Sequence, residues 1–283
     1  MAPLLALLSA VAYGAADFLG GVAARRATTI GAVVVSQAAG LAALTLVMPL
    51  FPSAHISAVD VVWGAVAGLA GSLGVALLYH GLAVGPMSVV APVTAICAVL
   101  IPVAAGVFLG DRLSATSAAG IALAMAAVAL LGRDGHHENG MLALLRSRGF
   151  RLAVLSGAAI GWFLVALERT SADAGLWPLA VSRTVSTLLF GGFALATGRA
   201  ATVPRAARAP ALACGAVDMV ANALYLLAVH QGPLSIVATL ASLYPASTVM
   251  LARIVLGERL SAWQLVGVGC AVVAVVLIVW GSA

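Results

Sequence analysis

The chain has 283 residues, 63% of them hydrophobic and 8% charged, with a mean hydropathy of +1.15. A water-soluble domain of that composition would expose large apolar patches, so a soluble globular protein is excluded and an integral membrane protein is indicated. The net charge of +5 comes from fourteen arginines and no lysine. Most of them lie between the apolar runs, which is membrane-surface charge and not a nucleic-acid footprint.

A spanning helix needs about 20 apolar residues to cross a hydrocarbon core of about 30 Å. Apolar runs set against polar breaks predict ten spans, at about 3–24, 29–50, 61–83, 86–109, 114–132, 152–169, 175–197, 209–231, 233–256 and 262–281. All should be helices, because unpaired backbone in lipid is too costly and the alternation of a β-barrel is absent. The opening MAPLLALLSA lacks the basic segment of a cleaved signal peptide and is expected to remain as part of the first span. GRDGHHENG, Gly132 to Gly140, is the longest break, followed by Arg146, Arg148 and Arg151. It predicts a linker over 133–151 between a first half, 1–132, and a second, 152–283. His136, His137 and Glu138 lack the helical spacing of HExxH, so no metal site is expected there. Cys97, Cys214 and Cys270 lie in apolar runs without CxxC spacing and read as small core hydrophobes.

A shift of 147 residues lays GPMSVVA at Gly85 on GPLSIVA at Gly232, and LGDRLSA at Leu109 on LGERLSA at Leu256. Agreement in Gly, Pro, Arg and Ser marks an internal repeat that a merely apolar composition would not produce. Gly85–Pro86 and Gly232–Pro233 read as a tight turn followed by a helix start, since proline at the first helical position loses no hydrogen bond. Gly110 and Gly257 suit left-handed helix stops, and Ser114 and Ser261 suit the N-caps of the following helices. Arg112 and Arg259 can reach headgroups from these short corners. The heptapeptides are therefore helix-to-helix corners. Five spans per half is an odd number, so the halves should enter the membrane in opposite senses. The expected fold is thus an all-α integral membrane protein with ten transmembrane helices in two inverted five-helix repeats, a construction plan of secondary transporters.

These paired corners, with the opening AYGAADFLGGVAARR from Ala12 to Arg26, resemble the EamA branch of the drug/metabolite transporter superfamily over essentially the whole chain. The resemblance implies a helical bundle with a central cavity and alternating access for small metabolites. It also implies both termini in the cytoplasm. The arginines point the other way: with the termini outside, inner loops hold Arg25, Arg26, Arg133, Arg146, Arg148, Arg151, Arg199, Arg205, Arg208 and Arg259, and outer loops hold Arg112 and Arg169.

Ionisable groups deep in a span are costly and mark functional sites. Three qualify here: Asp17, Arg183 and Asp218. Tyr13 precedes Asp17 by four residues, and Asn222 and Tyr225 follow Asp218 by four and seven, so each acid shares a helix face with hydrogen-bonding groups. One reading makes Arg183 a structural tie for one acid; the other leaves a second carboxylate free to take a proton or a cationic group. VVSQAAG at Val34 aligns with AVSRTVS at Ala180 and sets Gln37 opposite Arg183. His80 and His230 read as packing or interface residues, with a proton relay as the alternative, and Glu168 and Arg253 as groups that snorkel from helix ends. Pro92, Pro102 and Pro245 stand inside spans, where each either kinks the backbone or is accommodated by neighbours. Gly64, Gly68, Gly71 and Gly74 read as a close helix-packing stripe, with a dimer face as the alternative.

An enzyme working in the bilayer would need HExxH, a Ser/His or Cys/His pair, or closely spaced carboxylates, and the spans contain none. A non-transporting scaffold would not need three deep ionisable groups. The expectation is a non-enzymatic carrier in the cell membrane, and the family resemblance implies export of small metabolites such as amino acids. Its coupling is expected to be to protons, since no GxxxxGK[ST] occurs. No cofactor or metal is expected, and its partners are a small-molecule substrate and the lipid bilayer, without nucleic acid, in a monomer or homodimer.

Overall fold

In a computed structural model, residues 1–51, 55–84, 87–131, 147–198, 203–257 and 261–282 are described, and they form helices without a strand. The first half gives α1 (Ala2–Ala24), α2 (Thr29–Val47), α3 (Ala58–Val84), α4 (Met87–Leu109) and α5 (Ala115–Leu131). The second gives α6 (Arg148–Glu168), α7 (Trp177–Ala196), α8 (Arg205–Val229), α9 (Leu234–Ala241), α10 (Tyr244–Leu256) and α11 (Ala262–Gly281). Eight described segments are long and apolar enough to cross a membrane, with α9 and α10 counted together as one. Val93–Leu109 and α5 are shorter apolar helices. The outer surface is greasy, with Phe108, Leu195 and Trp280 91%, 84% and 79% exposed. The interior is dominated by alanine with buried serine and threonine, which lets helices approach closely where lipid removes the usual hydrophobic drive.

One expected span, 233–256, is two helices. α9 stops at Ala241 and α10 restarts at Tyr244 with Pro245 in its first turn. Pro245 has no N–H for the carbonyl four residues back, and its ring would crowd that carbonyl, which belongs to Ala241. The break therefore falls where the proline dictates. Pro233 is the N-cap of α9, with an extended ψ of 132°, so the helix begins one residue later than expected.

The helices pair in a pattern that survives exchange of the halves. α1 packs on α8 as α3 packs on α6; α2 packs on α8 as α3 packs on α7; α4 packs on α6 as α9 and α10 pack on α1. α2 with α7, and α5 with α11, are their own counterparts. The close crossings repeat as well. A Cβ at Gly68 would lie 2.6 Å from the Ser182 carbonyl, and one at Gly215, 147 positions on, would run into the Ser36 carbonyl. Gly64 likewise faces the Pro178 carbonyl at 2.8 Å, Gly71 faces Phe163 and Gly74 faces Ile160. The glycine stripe of α3 is occupied inside the molecule.

At the corners, Gly110 has φ +106° and Gly257 φ +69°, in the left-handed region where a Cβ is strained. Ser114 accepts from the Ser117 N–H at 3.0 Å. Ser261 accepts from the Gln264 N–H at 3.2 Å while Gln264 Oε1 accepts from the Ser261 N–H at 2.9 Å, a reciprocal capping box. Ser261→Ala should therefore cost about 1 kcal/mol, read as a small drop in melting temperature; an unchanged melt would show that the cap is replaced by water. Gly85, Pro86, Arg259 and the Gly132 to Gly140 break lie outside the described residues.

The membrane face that carries Met1 is tied between halves. Asp111 Oδ2 accepts from the Ser235 N–H at 2.9 Å and from its hydroxyl at 2.6 Å, at the N-terminus of α9. The Ser171 N–H donates to Asp60 Oδ1 at 2.7 Å, and the Ser114 hydroxyl donates to the Gly281 carbonyl at 2.8 Å. On the opposite face Arg26 donates to the Ala206 carbonyl, and Arg148 meets His80 Nε2, both at 3.2 Å and both exposed. Glu168, expected to snorkel, keeps Oε2 buried and without a hydrogen-bond partner among the described residues.

Candidate functional site

Five of the six singled-out residues meet at one cavity of about 250 Å³ in the middle of the bundle: Tyr13, Asp17, Arg183, Asp218 and Asn222. Helix periodicity explains the grouping. Tyr13 and Asp17 are one turn apart on α1, Asp218 and Asn222 one turn apart on α8, and those two helices pack against each other.

Arg183 is buried, with 9% of its surface exposed. Its Nη2 donates to Asp218 Oδ2 in an ion pair, and its Nη1 donates to Gln37 Oε1. Gln37 and Arg183 stand on α2 and α7, the helix pair that is its own counterpart, so equivalent positions of the two halves touch. Gly40 makes room beside them: a Cβ there would lie 3.4 Å from the guanidinium. The chain of bonds continues from Asp218 outward. Asn222 Nδ2 donates to Asp218 Oδ2 at 3.2 Å and to the Asp218 carbonyl at 2.7 Å, and the Tyr13 hydroxyl donates to Asn222 Oδ1 at 2.9 Å. The Tyr13 ring meets Tyr244 edge-on, centroids 6.4 Å apart at 62°.

Asp17 stands outside this network. It makes no hydrogen bond or ion pair with any described residue, and it is an exposed side chain that lines the central cavity. A second cavity of about 140 Å³ begins on the other side of the same layer and reaches Ala23, Ala24 and Thr29 at the face opposite Met1. Asp17, Gln37, Arg183 and Asp218 line both. The polar layer thus separates two spaces, with Asp17 open to each.

Tyr225, the sixth residue, is placed differently. It is fully buried, its hydroxyl donates to the Leu164 carbonyl at 3.3 Å, and it is not among the residues that line the cavity. Seven residues beyond Asp218 is about 10.5 Å along the helix, and at that height the face meets α6 instead of open space. Sequence reasoning missed Ser242 and Tyr244, which line the cavity at the break between α9 and α10. Tyr244–Pro245 inside an apolar run was the available signal. Among the described residues no group of three or more His, Cys, Asp or Glu is placed to hold a metal ion.

Apolar spans around a buried polar layer, with helix pairings related by exchange of the halves, define a multi-pass integral membrane protein built from two repeats. The profile of the EamA-like transporter family matches residues 1–133 and again 147–280, and the chain belongs to that family. A solved structure titled only "Crystal structure of protein" superimposes with a TM-score of 0.80, covering 99% of this chain and 97% of its own at 15% identity, which shows a shared fold. No curated protein matches the chain.

Proposed function

We propose that the protein is a secondary active exporter of small metabolites in the cell membrane, working by alternating access between two inverted five-span repeats. The ten spans are the eight long segments with α4 and α5. Asp17 carries the coupling proton in this reading. The observation that carries it is the position of that carboxylate: it has no hydrogen-bond or ion-pair partner among the described residues, and it lines the spaces on both sides of the polar layer. Asp218 has the other role open to an acid here, since its charge is matched by Arg183. An unpaired carboxylate in the membrane interior rests protonated at a lower cost than ionised, and can give up its proton when a cavity delivers water or cargo.

The test is counterflow of a metabolite panel in proteoliposomes, followed by accumulation driven by a pH gradient. Because Asp17 is unpaired, Asp17→Asn strands no buried ion. The variant should insert normally and lose proton-driven accumulation. Unchanged accumulation with unchanged pH dependence would remove Asp17 from the coupling step.

A further inference from the structure

We infer that the cavity's cargo is a small organic cation with an apolar body, a protonated amine, and that amino-acid zwitterions and carboxylate anions are disfavoured. This rests on the transporter reading and adds the class of cargo to it.

The first reason is charge. Two carboxylates and one guanidinium line the cavity. The guanidinium is taken: Asp218 neutralises it and Gln37 occupies its other arm. A substrate carboxylate would have to displace Asp218 from a buried arginine. Once Asp17 has given up its proton, the surplus charge of the site is its carboxylate, which meets no cation among the described residues.

The second reason is the sense of the hydrogen bonds. Several hydroxyls around the cavity have already donated their hydrogens. Thr94 donates to the Ala153 carbonyl at 3.2 Å, Ser186 to the Ser182 carbonyl at 2.7 Å, Ser242 to the Thr239 carbonyl at 2.7 Å and Tyr13 to Asn222. What these groups keep is acceptor lone pairs, and a ligand that meets acceptors must bring donors. An ammonium brings three. A carboxylate brings none.

The third reason is the wall. Tyr13 stands one helical turn from Asp17, Tyr244 meets it edge-on, and Phe163 lines the same cavity. Ring faces attract cations and ring edges pack apolar bodies. Alanine and leucine complete much of the lining, so an amine carrying a single ring finds a carboxylate at one end and an apolar wall for the rest.

Binding to the purified full-length protein, measured by titration calorimetry, tests this with probes of one body and different charge: 2-phenylethylamine, phenylalanine, 3-phenylpropionate and 2-phenylethanol. The amine should bind at least tenfold more tightly than the other three. Asp17→Asn should bring the amine down to the level of the alcohol, and Asp17→Glu should keep the preference; melting curves for both variants establish that they are folded. Phenylalanine or phenylpropionate binding as tightly as the amine overturns the inference, as does an amine that does not bind or a preference that survives in Asp17→Asn. Those outcomes leave the transporter reading standing whenever the counterflow panel finds some cargo. A panel with no cargo overturns both.

Discussion

Valine in place of Gly215 is expected to remove most of the folded protein from the membrane fraction. The Cβ position there already collides with the Ser36 carbonyl, and the Gly215 carbonyl lies 2.9 Å from a Cβ placed at Gly40. Two backbones are in direct contact across α2 and α8, and neither side has a flexible side chain that could give way. Overpacking a tight interior costs about 1 to 3 kcal/mol and more where backbone must move. Here it must. The shift also reaches the polar layer, since Gln37 follows Ser36 and Asp218 is three residues beyond Gly215. Alanine should give an intermediate loss. Gly192 supplies the control: a Cβ there meets nothing within 4 Å, so Gly192→Ala should be neutral or gain up to about 1 kcal/mol from helix propensity. Monodisperse yield and melting temperature in detergent are the measurements. Equal behaviour of Gly215→Val and Gly192→Ala would show that the crossing is looser than the structure has it.

Asp218→Asn should destabilise the protein more than Arg183→Leu, although each breaks the same ion pair. Removing the acid leaves a guanidinium whose side chain is 10% exposed and whose only other described partner is Gln37, and arginine cannot shed its charge. Breaking a buried pair in this way costs about 3 to 5 kcal/mol. Removing the arginine leaves a carboxylate that is 29% exposed, facing the cavities, and able to take up a proton. Its cost is therefore lower. Arg183→Met with Asp218→Leu should recover much of the loss, because apolar replacement of a buried pair is often neutral. Thermal melts of the three variants decide it; equal losses in the single variants, or no recovery in the double, would show that the pair is solvated.

Much of this architecture was legible in the residues, because in lipid the physics leaves few options. Apolar runs of spanning length must be helices, and a repeated Gly-Pro and Leu-Gly corner fixes where they turn. The acids and the arginine stood out because an apolar chain tolerates few ionisable groups. Distances between helices were not legible. Tyr225 and Asn222 follow Asp218 on one face, yet only Asn222 reaches the cavity, because α6 covers the face one turn further on. Ser242 and Tyr244 were lost for a different reason: hydropathy averages across the break that Pro245 makes, so a two-piece span reads as one. Asp17 and Asp218 looked equivalent as letters in a sequence. Their difference lies in which helix brings a cation, and that is a property of the packed bundle.

The crossing of Gly68 on Ser182 and of Gly215 on Ser36 gives the molecule a built-in reference. The same contact occurs twice, once with each half supplying the glycine, within one covalent chain and at one concentration. Any quantity measured at one copy can be subtracted from its value at the other, and errors of preparation cancel in the difference. For an object with perfect exchange symmetry that difference is zero. Whatever remains is odd under exchange of the halves, so it carries a sign, and the sign states which face of the molecule is the more tightly fastened.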